Sequence, residues 1–159
     1  MNVELLQYTP EPEKTVALAA RLCYSPVSIG RLQEKLESTD IEAFLDKIMS
    51  LGHQSVLEHV SFTFGLEGIS RVTTHQLVRH RIASFSQQSQ RYVSHKEEYT
   101  SIMPDSIAEN EEARQIFAFM SETVHKAYAQ LVDMGIPAED ARYILPNAAE
   151  TKIIMTMNA

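Results

Sequence analysis

The chain has 159 residues, 44% of them hydrophobic, a formal net charge of −7 and one cysteine. That length suits a single domain with a real core and is short for two. The acidic balance, with a sequence pI near 5.3, excludes a general nucleic-acid binder, because affinity for a phosphate backbone grows with the number of cationic contacts. No segment approaches the roughly 20 apolar residues that span a bilayer. The lone Cys23 cannot close an intramolecular disulfide, and the N-terminus has neither the basic stretch nor the apolar run of an export signal, so a cytoplasmic setting is expected.

Taken in order, Val3 to Tyr8 reads as a short first strand, and Pro10 and Pro12 open a helix over Thr15 to Cys23 that ends near Pro26. A linker containing Gly30 leads to a charged helical turn, Arg31 to Glu37. Thr39 is then expected to cap an amphipathic helix with Ile41, Phe44, Leu45, Ile48 and Met49 on its core face and Gly52 past its end. Ser55 and Glu58 stand at capping-box spacing and predict a short helix start. His59 to Leu66 alternates like a half-buried strand, punctuated by Gly65, Gly68 and Ser70. A helix from about Ser70 carries Val72, Gln76, Leu77 and His80, and Ala83 to Ser89 reads as a polar loop beside it. After the charged stretch His95 to Glu98, one long helix is expected from Asp105 or Ser106 to Met134. Its core positions are Ile116, Phe117, Met120, Val124, Ala127, Leu131 and Val132. A short helix from Ala138 to Leu145 holds Arg142, and Thr151 to Asn158 reads as a last strand. Stopping in the middle of apparent structure, at Ala159, the chain is expected to be truncated at its C-terminus.

Between Gly68 and Lys96 there is no Asp or Glu, while Arg71, Arg79, Arg81, Arg91 and Lys96 give this window +5, leaving −12 for the rest. Such an island focuses a field that attracts anions, and the planar fork of a guanidinium suits phosphate and carboxylate better than an ammonium does. An anionic ligand is therefore expected here. The bland rival is a set of surface pairs with acids elsewhere, which are common and contribute little. Metal binding is not expected, since His75 and His80 are five apart and His80 lies between two arginines. Cys23, placed on the apolar side of its helix, reads as an inert small hydrophobe. Ser84, Ser86 and Ser89 lack a triad or a Gly-x-Ser-x-Gly elbow and read as hydroxyl partners of a phosphate.

The run Arg79-His80-Arg81-x-x-Ser84-x-x-x-x-Ser89-x-Arg91 fills every fixed position of the Arg-His-Arg-x-x-Ser-x(4)-Ser-x-Arg signature, so the chain resembles the flavin-dependent thymidylate synthases. Gly52-His53-Gln54-Ser55-Val56-Leu57-Glu58-His59 is similar to their Gly-His-x-(Ser/Thr)-x-x-Glu-His segment. Ala141-Arg142-Tyr143-Ile144-Leu145-Pro146 is similar to their Ala-Arg-x-x-Leu-Pro segment. The likeness covers essentially the whole chain.

This resemblance implies an α+β fold, a sheet flanked by long helices. It also implies reductive methylation of deoxyuridine monophosphate (dUMP) to thymidine monophosphate, with methylenetetrahydrofolate as one-carbon donor, FAD carrying hydride and NADPH as reductant. Carried over by motif position, Ser55, Glu58, Arg79, His80, Arg81, Gln87 and Asn158 would contact FAD. Gln76, Arg79, Gln87, Gln88, Ser89, Arg91 and Arg142 would surround dUMP. His53 would lie near the flavin and assist folate or hydride chemistry, and Ser89 would orient the nucleotide rather than attack it. A homotetramer with shared sites is implied too, with no nucleic acid, membrane or metal. Members of the family continue into a segment with a further Arg and an Asn at the site, and Gln87 stands where some carry Glu. The alternative is a non-catalytic nucleotide- or flavin-binding module.

Overall fold

The computed structural model describes residues 1–97 and 99–159; the expected charged stretch therefore lies partly outside the described residues, at Glu98. Strand β1 (Asn2–Tyr8) is followed by helix α1 (Pro12–Leu22), with Pro12 in the first turn, where its missing N–H leaves no bond unmade. Glu11, at φ 47°, makes the turn between them in the left-handed conformation. Gly30 is absorbed into α2 (Ile29–Leu36) rather than serving as a linker, and α2 buries Leu32 and Leu36. Helix α3 (Ile41–Ser50) is capped by Asp40, whose carboxylate accepts from the Ala43 N–H at 3.1 Å, and not by Thr39. The Thr39 hydroxyl is engaged elsewhere, donating to the Lys35 carbonyl at 2.8 Å and accepting from Arg21 at 3.0 Å.

A 3-10 helix (Gln54–His59) leads into β2 (Ser61–Ser70), then α4 (Arg71–Leu77) and β3 (Ala83–Gln87). Next come α5 (Asp105–Ala108), α6 (Glu111–Asp133), α7 (Ala138–Ala141), a 3-10 turn (Arg142–Ile144) and β4 (Glu150–Asn158). The four strands form one antiparallel sheet in the order β1-β2-β4-β3, so the fold is α+β, as expected.

Three expected element boundaries change as well. The polar loop at 83–89 is an edge strand, because Ala83, Phe85 and Gln87 alternate half-buried with exposed Ser84 and Ser86; the period of two, not polarity, decides. Strand β2 runs through Gly65 and Gly68. At Gly68 φ is 66°, and a Cβ would sit 3.3 Å from the Met1 backbone, so the residue permits a close approach rather than ending the strand. The single long helix is two: α5 stops at Ala108, and Asn110 starts α6 by accepting from the Ala113 N–H at 3.0 Å.

The chain divides into two compact units, with all four strands running through both. One comprises Glu4–Phe64, Ile82–Ser84 and Met155–Ala159. Its core is Val16 and Ala20 of α1, Ile48 of α3, Val56 of the 3-10 helix and Val60, with Phe44, Leu45 and Phe62 packed on it. Cys23 is exposed at the C-terminal end of α1, not packed among apolar neighbours; its thiol reaches the Ala19 carbonyl at 3.5 Å.

The other unit comprises Met1–Val3, Gly65–Arg81 and Phe85–Ile154. Here Tyr128 of α6 is fully buried, and Ile153 of β4 is nearly so. Two residues expected in the α6 core, Ile116 and Met120, are instead 60% and 51% exposed, and Phe119 beside them is 66% exposed. The helical period of that stripe was real, but nothing among the described residues covers it.

Candidate functional site

Helix α4 begins where the Ser70 hydroxyl accepts from the Thr73 N–H at 3.2 Å, and it is only seven residues long. The chain then tightens: the N–H groups of Arg79 and His80 donate to the carbonyls of Gln76 and Leu77, both at 3.1 Å. Arg79, His80 and Arg81 therefore lie just past the helix rather than along it, at the end whose partial negative charge favours cations. All three are exposed, and their side chains have no hydrogen-bond or ion-pair partner among the described residues. The surface-pair rival fails for these two arginines, although Arg91 and Lys96 do pair, with Glu139 at 3.0 Å and Asp133 at 2.8 Å.

Strand β3 presents Gln87 inward. Its amide nitrogen donates to the hydroxyls of Thr74 at 2.9 Å and Thr151 at 3.2 Å, which are 0% and 2% exposed. The Thr74 hydroxyl itself donates to the Arg71 carbonyl at 3.0 Å, so its lone pair faces Gln87 and requires a donor there. Both amide protons of Gln87 are committed inside the fold, and its carbonyl oxygen is left for other partners.

Beyond β3 the Gln88 N–H donates to the Lys152 carbonyl at 2.9 Å, and the Ser89 hydroxyl accepts from the Arg91 N–H at 3.2 Å. Arg91 and Arg142 converge on Glu139. The first donates through Nε to its carboxylate at 3.1 Å, and the second through Nε to its backbone carbonyl at 3.0 Å. Arg71 donates to the Gln88 carbonyl at 2.9 Å. Burial first, and then the neighbouring Arg142, lower the Arg71 pKa from its ordinary value. In this unit, then, Gln87, Gln88, Ser89, Arg91 and Arg142 stand in one bonded neighbourhood, while Gln76 is exposed on α4 and its side chain has no hydrogen bond among the described residues. A polar cleft of about 240 Å³ lies beside them, lined by Gln88, Val93, Ser94, His95, Glu150 and Lys152 among others.

The remaining candidates lie in the other unit. The expected capping box does not form: His53 occupies the cap position without a side-chain cap, Ser55 lies inside the 3-10 helix, and Ser55 and Glu58 are both exposed. The His53 ring reaches the Tyr24 hydroxyl at 3.5 Å. Asn158 is half-buried at the end of β4. Among the described residues no cluster has the donors for a metal, and no helix is long and apolar enough to cross a membrane.

Thr74, Thr151 and Glu139 were not singled out in the sequence, and Arg71 was counted there without a role of its own. Arg71 was visible as a cation of the acid-free window, and Glu139 as the acid three residues before Arg142; the two threonines carried no signal.

The donors fit an anionic cofactor. The exposed, unpartnered guanidiniums of Arg79 and Arg81 offer charged forks without competing carboxylates, as a pyrophosphate requires. The class the fold defines is α+β, with an exposed basic turn that precedes an edge strand. Residues 4–159 match the family model described as thymidylate synthase complementing protein, Thy1. The chain is 63% identical to the flavin-dependent thymidylate synthase of Geobacter sulfurreducens, over 100% of its own length and 69% of that protein. It is 49% identical to the enzyme of the same name from Clostridium tetani, covering 100% and 70%, and 44% identical to that of Pyrococcus horikoshii, covering 99% and 66%. The chain belongs to the Thy1 family, and it spans about two thirds of the length of these relatives.

Proposed function

We propose that the chain acts as a flavin-dependent thymidylate synthase, converting dUMP to thymidine monophosphate in the cytoplasm. Methylenetetrahydrofolate is the one-carbon donor and NADPH the reductant. The observation that carries this reading is the Arg79-His80-Arg81 turn, a family signature left exposed and without acidic partners. Because all four strands run through both compact units, we take the chain as one domain.

FAD, when bound, supplies the hydride chemistry; the chain supplies position and charge. Arg79, His80 and Arg81 hold its phosphates, with Ser55, Glu58, Gln87 and Asn158 as further contacts. The triplet sits at a helix C-terminal end, so its side chains, not the helix dipole, provide the attraction. Arg91, Arg142 and Ser89 take the dUMP phosphate, and Gln76, Arg79, Gln87 and Gln88 surround the nucleotide. Ser89 orients it: its hydroxyl accepts from the Arg91 N–H, which leaves the hydroxyl proton to donate to a ligand oxygen. The exposed His53 ring, near the Tyr24 hydroxyl, assists the folate or hydride step. A homotetramer with shared sites is supported by the exposed apolar stripe of α6 at Ile116, Phe119 and Met120.

The test is the visible absorption spectrum of the purified chain with FAD, repeated with dUMP. A protein-bound flavin band that shifts on adding dUMP, followed by thymidine monophosphate formation on adding methylenetetrahydrofolate and NADPH, is the expected result. Flavin and dUMP that both separate completely from the protein on a desalting column would overturn the reading.

A further inference from the structure

Between β3 and α5 the chain carries Ser89 and Arg91, and near each end it is tied to the segment that leads into and forms β4. The Gln88 N–H donates to the Lys152 carbonyl at 2.9 Å, the Glu150 N–H to the Thr100 carbonyl at 2.9 Å, and the Ile102 N–H to the Ala148 carbonyl at 2.8 Å. Its middle is held from α6. Ser121, His125 and Tyr128 follow one another at spacings of four and three, and so share one face of that helix. The Ser121 hydroxyl donates to the Ser101 hydroxyl at 2.7 Å, the His125 ring Nε2 meets the Lys96 carbonyl at 3.0 Å, and the buried Tyr128 hydroxyl accepts from the His95 N–H at 3.4 Å. The Tyr99 ring stacks on His125, with centroids 5.2 Å apart and planes 21° from parallel.

Of the three, His125 makes the shorter bond to backbone. A carbonyl oxygen can only accept, so Nε2 carries the proton, and the stack on Tyr99 fixes the ring plane that aims it at Lys96. The hold reaches the nucleotide residues through a short bonded path. Just upstream of His95 and Lys96, the Val93 N–H donates to the Ser89 carbonyl at 3.0 Å, and the Arg91 N–H donates to the Ser89 hydroxyl at 3.2 Å. A shift of the Lys96 backbone therefore pulls on the turn that bears both Ser89 and Arg91. The ion pair of Lys96 with Asp133 joins the same residue to the same helix, but it is open to solvent and contributes little.

We propose that His125 is a positioning residue for nucleotide binding: by holding the Lys96 carbonyl it sets where Ser89 and Arg91 stand, rather than by touching the nucleotide. Binding groups that are displaced by about 1 Å lose much of their effect even when the displacement starts at a distant residue. The proposal rests on the nucleotide reading above and adds to it a helix that carries none of the motifs behind that reading.

The test is calorimetric titration of the 159-residue chain with dUMP, at a temperature where circular dichroism shows each variant folded. His125→Phe keeps a ring against Tyr99 but cannot donate to Lys96, and it should lower dUMP affinity about tenfold, the scale of a misplaced binding group. His125→Gln, whose amide nitrogen can take the place of Nε2, should restore affinity to within about threefold of wild type. His125→Asn is too short to reach the carbonyl and should follow His125→Phe, which keeps the test open if the phenylalanine variant does not fold. Each change is repeated in a Ser89→Ala background, where the loss from a missing donor should shrink because the hydroxyl being positioned is gone. Affinity unchanged in the donor-less variants, no rescue by glutamine, or an equal loss in both backgrounds would overturn the role of His125 while leaving the nucleotide reading intact. A wild-type chain with no affinity for dUMP would overturn that reading, and this proposal with it.

Discussion

The apolar cluster around Val16, Ile48 and Val60 and the polar neighbourhood around Arg71, Gln87 and Arg142 are built in opposite ways. In the first, helices α1 and α3 bury aliphatic side chains against one another, and each contact stabilises the fold without reference to anything else. In the second, backbone carbonyls accept from Arg71 and Arg142, two buried hydroxyls accept from the Gln87 amide, and among the described residues no carboxylate pairs with Arg71. The lesson is that the two regions should answer to different perturbations: one to loss of volume, the other to loss of charge or of a donor.

The comparison breaks hardest in the apolar cluster. Ile48, 6% exposed, contributes mainly through burial, so Ile48→Ala should cost about 2–4 kcal/mol in urea unfolding, with ligand affinity of the surviving folded protein unchanged. On the polar side, Arg91→Ala should lose about 2–3 kcal/mol of dUMP binding, as for a lost charge-assisted contact. The same change should cost at most about 1 kcal/mol of stability, because its Glu139 pair is half-exposed. Unchanged dUMP affinity in a calorimetric titration would remove Arg91 from the site.

Gln87 tests whether the polar neighbourhood has a rigid floor. Replacing it by Met keeps the volume but strands the hydroxyls of Thr74 and Thr151, at an expected cost of about 1–2 kcal/mol in the same unfolding assay. A neutral result would mean that those hydroxyls find other partners. The smallest effect belongs to exposed charge. Lys126 lowers the Glu122 pKa, first by hydrogen bonding and then by its charge, yet both side chains are in water. Glu122→Ala should leave the melting temperature within error of wild type.

Much of this was readable from residue order. Three of the four strands, the α1 and α3 helices, and the α+β class follow from periodicity and from proline and glycine placement. Strand β3 did not, because Ser84, Ser86 and Gln87 mimic a loop in composition while alternating like a strand. The α5–α6 break was hidden because Asn110 ends one helical pattern and starts another without disturbing its period. The cap on α3 went to Asp40 rather than Thr39 because both stand at the right place and only one side chain is free to accept. At the site, the basic turn was visible as a charge island. The Arg71–Gln88 and Gln87–Thr74–Thr151 links join residues up to 64 positions apart, and no local pattern predicts such pairings.

The Gln87 amide has a spectroscopic consequence. Its two protons point to two different buried hydroxyls, and the proton on Thr74 is itself held by the Arg71 carbonyl. In solution these protons should exchange slowly with deuterium and resonate well apart from those of exposed side-chain amides. The pair of resonances would form a native, label-free reporter of the packing between β3, α4 and β4.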